Sequence, residues 1–144
     1  MLRSTRWCTA LALFSLSLAA CGGDKKSEGD VNKEAQGACN GSALSEAPQL
    51  PNGWPTIAGA TYTQQSDQGP TKVVEGYFDG DVKNAHDEFK LELQAAGFTI
   101  LFDELEEHDS EVSWKGQGRS GQVALREECG GNDKIFVHIT NRPA

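Results

Sequence analysis

Between Asp81 and Gly97 the apolar side chains recur every three or four residues. Val82, Ala85, Phe89, Leu93 and Ala96 fall on one stripe, while Lys83, Asp87, Glu88, Lys90, Glu92 and Gln94 occupy the other faces. The spacing predicts an amphipathic helix over about 82–96. Asp79 or Asp81 supplies a carboxylate for the free first-turn amides, and Gly97 supplies the left-handed residue that commonly ends a helix. On either side the period drops to two. Residues 60–64 and 72–78 form a hairpin pattern around the polar turn Gln65-Ser66-Asp67-Gln68-Gly69-Pro70. Four more strand-like stretches follow, at 98–105, 111–115, 122–126 and 134–140, divided by His108-Asp109-Ser110, by residues 116–121 and by residues 129–133. Phe98, Ile100 and Phe102, Val112 and Trp114, Val123 and Leu125, and Ile135, Val137 and Ile139 are set to point one way. The expected fold is α+β: an antiparallel sheet of five or six strands with one helix packed on one face.

The rest of the chain divides by composition. Residues 47–55 hold Pro48, Pro51 and Pro55 with Asn52-Gly53, an irregular approach to the domain in which Trp54 is expected on the edge of the core. Residues 22–37 are rich in Gly, Lys, Glu, Asp and Ser, and Val31 is their one aliphatic residue larger than alanine. Such a stretch buries too little surface to offset its ordering entropy, so residues 21–38 read as a flexible tether. Ahead of it, Arg3 and Arg6 precede the apolar run 10–20, which ends in the small residues Ala19 and Ala20. That is the layout of a secretory signal over 1–20. The run is too short for a bilayer core of about 30 Å, which takes about 20 helical residues. Arg3 and Arg6 are not adjacent, so export is expected through the general pathway rather than a twin-arginine one.

Leu18-Ala19-Ala20-Cys21 resembles the lipobox of bacterial lipoproteins. The resemblance covers the first 21 residues. It implies cleavage before Cys21, a thioether from Cys21 to diacylglycerol and acylation of the new amino group, and so a membrane partner through lipid. In that family an aspartate after the cysteine favours retention at the inner membrane of two-membrane bacteria; Gly22 at that position leans toward the outer one. Two or three acyl chains, at about 0.8 kcal/mol per buried methylene, hold a protein to a membrane effectively for good. Residues 39–144 would then form a single exported domain. The runs Gly76-Tyr77-Phe78 before the predicted helix and Ala95-Ala96-Gly97-Phe98 after it resemble small α+β lipoprotein domains to which no activity is attached.

Charge narrows the partners. The 144-residue chain carries a formal charge of −8, and loss of Arg3 and Arg6 with the leader makes the mature form more acidic still. Nucleic acid is excluded for want of clustered Lys and Arg, and an acidic surface gains nothing from anionic lipid. Of the four cysteines, Cys8 leaves with the leader and Cys21 is taken by lipid, which leaves Cys39 and Cys129 as a disulfide in an oxidising compartment. Closing a loop of about 90 residues gives roughly 4 to 5 kcal/mol at most. A metal pair or redox couple fits poorly, because the two lack Cys-x-x-Cys spacing and a nearby histidine.

Candidate chemistry is sparse. His86, His108 and His138 read as solvated or edge histidines, and no Gly-x-Ser-x-Gly elbow is present. The acidic run Asp103, Glu104, Glu106, Glu107, Asp109 and Glu111 reads as a solvated edge that discourages strand pairing; Glu106, His108 and Asp109 are the first place to look for a cation. Asp79-Gly80-Asp81 begins like a calcium loop but is not completed, because lysines stand at Lys83 and Lys90. The sheet face away from the helix is the candidate binding surface, with Phe136, His138, Lys115 and Arg126 as its expected contacts, unless residues 44–54 cover it. The expectation is a non-catalytic domain without cofactor or metal, binding an envelope protein or cell-wall component. The alternative is an accessory lipoprotein that binds a small ligand or metal ion.

Overall fold

The computed structural model describes residues 28–144 other than Asn132, with side chains from Lys33 onward. Its elements are α1 (Glu28–Cys39), β1 (Ala60–Gln68), β2 (Thr71–Asp79), α2 (Val82–Ala95), β3 (Thr99–Leu105), β4 (Asp109–Gly116), β5 (Arg119–Arg126) and β6 (Lys134–Pro143). The six strands make one antiparallel sheet in the order β1-β2-β6-β5-β4-β3. The first hairpin leads into α2, which crosses the sheet, and the meander β3 to β6 then brings the last strand back beside β2. The α+β fold is thus observed.

The α2 stripe is the one its spacing predicts. Val82, Ala85, Phe89 and Leu93 are buried against Val74, Phe78, Val112, Trp114, Val123, Leu125, Ile135, Val137 and Ile139. Of the two candidate caps, Asp81 is used: its carboxylate accepts from the Asn84 amide at 2.7 Å. Gly97 takes φ 86° just after the helix. Trp54 lies on the core edge, packed edge-on against Phe98 and Trp114 at ring-centroid distances of 5.5 and 5.0 Å. Its Nε1 donates to Tyr62 Oη at 3.3 Å, and burial pushes the Tyr62 hydroxyl up to about 12.

Three expectations need correction. The sheet carries two helices, not one, and the second grows out of the expected tether: residues 28–39 are helical. Inward-facing Ala35, Ala38 and Cys39 pack on Phe136, Cys129 and Tyr77, on the face opposite α2. Cys39 and Cys129 are bonded, with Cα atoms 5.5 Å apart, and this ties the end of α1 to the loop before β6. Lys134 Nζ lies 3.7 Å from the Tyr77 ring centre, and Gln36 Nε2 donates to the Glu128 carbonyl at 2.8 Å. A stretch too polar to fold by itself is ordered by small side chains that let the backbone approach closely.

The third correction lies in β3. The pairing shifts between Ile100 and Phe102, so Leu101 is an extra residue in the strand. Beyond it the alternation inverts. Phe102 sits opposite Ser113 on the α1 side, and Asp103 sits opposite Val112 on the α2 side. Phe102 therefore does not join Phe98 and Ile100 under α2; it is 52% exposed. The leader, the lipobox and Cys21 lie outside the described residues. Among the described residues no helix is long and apolar enough to cross a membrane.

Candidate functional site

The expected binding face is not open where it was placed. Phe136 is 3% exposed because Ala35 and Ala38 of α1 lie on it, so neither the bare aromatic nor a cover built from 44–54 is found there. His138, next along β6 on that face, is half-buried and its Nδ1 donates to Glu75 Oε1 at 2.7 Å. Glu75 is itself buried, so this imidazole serves an interior carboxylate. Arg126 is half-buried opposite Phe136 and Asp109, and Lys115 is exposed opposite Thr99 and Ser120. Phe136 and Arg126 thus share one row and His138 lies in the next row on that face, its ring centre 6.2 Å from that of Phe136, while Lys115 stands three rows away and does not join them.

The acidic run resolves into separate environments. His108 Nδ1 lies 2.8 Å from Glu127 Oε2, and that carboxylate raises the imidazole above its ordinary range, with Glu107 and Asp109 adding to the effect. Glu111 accepts from Gln122 at 2.7 Å. Glu106, His108 and Asp109 form no cation nest: among the described residues no three such side chains gather in metal-holding geometry.

One arrangement escaped the sequence reading. His86, expected at a solvated edge, is 4% exposed beneath α2. Its Nδ1 is 2.6 Å from Ser110 Oγ, and its Nε2 is 3.4 Å from Asp103 Oδ2. The carboxylate favours the proton on Nε2, so Ser110 donates to Nδ1. Lys90 Nζ donates to Asp103 at 2.6 Å and holds its carboxyl below the usual carboxylate range. These are the residue types of a serine nucleophile relay, but Ser110 is 1% exposed and no substrate atom reaches its Oγ. The string closes the α2–β3–β4 junction. It depends on the Leu101 bulge, which turns Asp103 inward. His86 also falls between Val82 and Phe89 at helical spacing, the one signal in the chain of its burial.

What remains open is an edge. β3 is the outermost strand, and every residue in it except Ile100 is exposed. Leu101, Phe102 and Leu105 are 56%, 52% and 42% exposed. Among the described residues, three of the four large exposed apolar side chains thus lie on this one strand, the fourth being Leu91 on α2. Among the described residues no backbone bond reaches its outer side. A hollow of about 540 Å³ near Leu50, Trp54, Ile57 and Tyr62 is a further apolar recess, but its phenol is already engaged by Trp54.

No family model matches this chain. No curated protein matches it in sequence either.

Proposed function

We propose that the protein is a lipid-anchored extracytoplasmic lipoprotein whose domain is non-catalytic and binds an envelope protein through the free edge of β3. The observation that carries the binding half is the bare strand. A seven-residue edge with unpaired backbone groups and three exposed apolar side chains is a template for strand addition, in which backbone hydrogen bonds supply affinity and alternate side chains supply register. The charges of Asp103 and Glu104 blunt this edge only in part, because leucine and phenylalanine stand exposed beside them. The anchoring half is supported by the basic start, the apolar run and Leu18-Ala19-Ala20-Cys21. Absence of catalysis is supported by the burial of Ser110 and His86, the serine–histidine–aspartate string found among the described residues.

Two experiments test the halves separately. Intact mass of the protein expressed in a bacterial envelope is expected to match residues 21–144 plus acyl chains, and an unlipidated product overturns the anchor. Pull-down with the full chain is expected to lose its specific partner on Leu101→Ser with Phe102→Ser and to keep it on Lys115→Ala. Retention of that partner by the double variant overturns the edge.

A further inference from the structure

We infer that the occupant of the β3 edge is an extended segment of alternating apolar and basic residues, about seven residues long; this rests on the proposed binding role of that edge. The apolar half follows from Leu101, Phe102 and Leu105. The basic half follows from charge that the fold leaves uncompensated. β3 contains no Lys or Arg, and Asp103 alone among its acids is matched by a cation, Lys90. Glu104 stands directly across from Glu111, a like-charged pair that disfavours this sheet pairing, and neither it nor Glu106 has a cation partner among the described residues. An incoming strand whose lysines or arginines flank Glu104 and Glu106 would relieve that repulsion and lay their methylene stems along Phe102 on the same face, while its apolar residues cover Leu105 on the other. A second copy of this chain would do the opposite. Two β3 strands side by side bring four carboxylates and no Lys or Arg of either strand to one seam, so the edge finds no charge complement in itself and favours a basic partner.

The test uses the full chain in detergent and three nine-residue peptides that alternate valine with lysine, serine or glutamate. Binding is read by fluorescence anisotropy at low salt, and contact by hydrogen exchange of the β3 amides. The lysine peptide is expected to bind at least tenfold tighter than the glutamate peptide, to protect β3 amides, and to weaken as salt is raised. Glu104→Gln with Glu106→Gln should cut that preference about tenfold while serine-peptide binding persists. Glu88→Gln with Glu92→Gln on α2 should leave it unchanged and so exclude a general attraction to an acidic protein. Equal binding of all three peptides overturns the charge inference and leaves the edge reading standing. Protection of β3 by no peptide overturns both. Concentration-dependent self-association abolished by Phe102→Lys overturns the basic partner in favour of a second copy.

Discussion

The two edges of the sheet are finished differently. Along β1 the outer side is closed: the Leu44 amide donates to the Tyr62 carbonyl at 2.9 Å, Thr63 Oγ1 donates to the Ala38 carbonyl at 2.8 Å, and the Gln49 amide donates to Gln65 Oε1 at 2.9 Å. The end of α1 and the segment behind it thus guard Tyr62 to Gln65 through one backbone bond and two bonds that use side chains. β3 has no such guard and instead shows leucine and phenylalanine to solvent. That contrast, one edge partly covered and the other bare and apolar, is what the proposed strand addition at β3 rests on.

The largest effects are expected on the guarded side, where the changes break structure. Gly76 lies in β2 opposite the β1 bulge, and a Cβ there would stand 1.9 Å from the Thr61 carbonyl oxygen. Gly76→Ala should cost about 3 kcal/mol or more in chemical denaturation. Cys39→Ser with Cys129→Ser should cost about 2 to 4 kcal/mol and raise dye binding as α1 leaves Phe136 and Tyr77. A loss under 1 kcal/mol would mean that α1 holds without its bond. His138→Ala leaves the buried Glu75 carboxylate without its donor and should cost about 1 to 3 kcal/mol.

Near the open edge the expected effects on stability are small. His108 is held above its ordinary range by Glu127, so its contribution is fully present below the unfolded-state value near 6.5 and is lost as pH rises through the higher folded-state value. Proton NMR should show that titration move down on Glu127→Gln, and an unmoved midpoint would remove Glu127 as the cause. Asp103 runs the other way: its contribution is present above the ordinary carboxylate range and fades as pH falls through its lower folded-state value. Leu101→Ser with Phe102→Ser should change stability by no more than about 0.5 kcal/mol while abolishing partner binding. A large loss of stability there would make β3 a structural strand and dissolve the contrast between the edges.

How far the chain announces this depends on what holds each part. α2 and the strands of the meander were legible because long apolar side chains repeat at 3.6 or 2 residues. α1 was not, because its inward face is built from Ala35, Ala38 and Cys39, whose burial is set by a bond to a residue 90 positions away. The bulge was hidden within Ile100-Leu101-Phe102, three apolar residues in a row that fit either register. That slip moved Phe102 out and Asp103 in, while the expected surface at Phe136 was lost for a different reason, the unforeseen cover of Ala35 and Ala38. The pairing of His86 with Ser110 spans 24 residues and has no local signature.

If β3 is a docking edge, it is occupied where the protein works. A photo-crosslinking residue placed at Phe102 in the full chain, in a living bacterial envelope, measures this directly against the same residue placed at Gln65 on the guarded edge. A discrete cross-linked partner from position 102 and none from position 65 is the predicted result. No adduct at 102, or the same adducts from both positions, would contradict it.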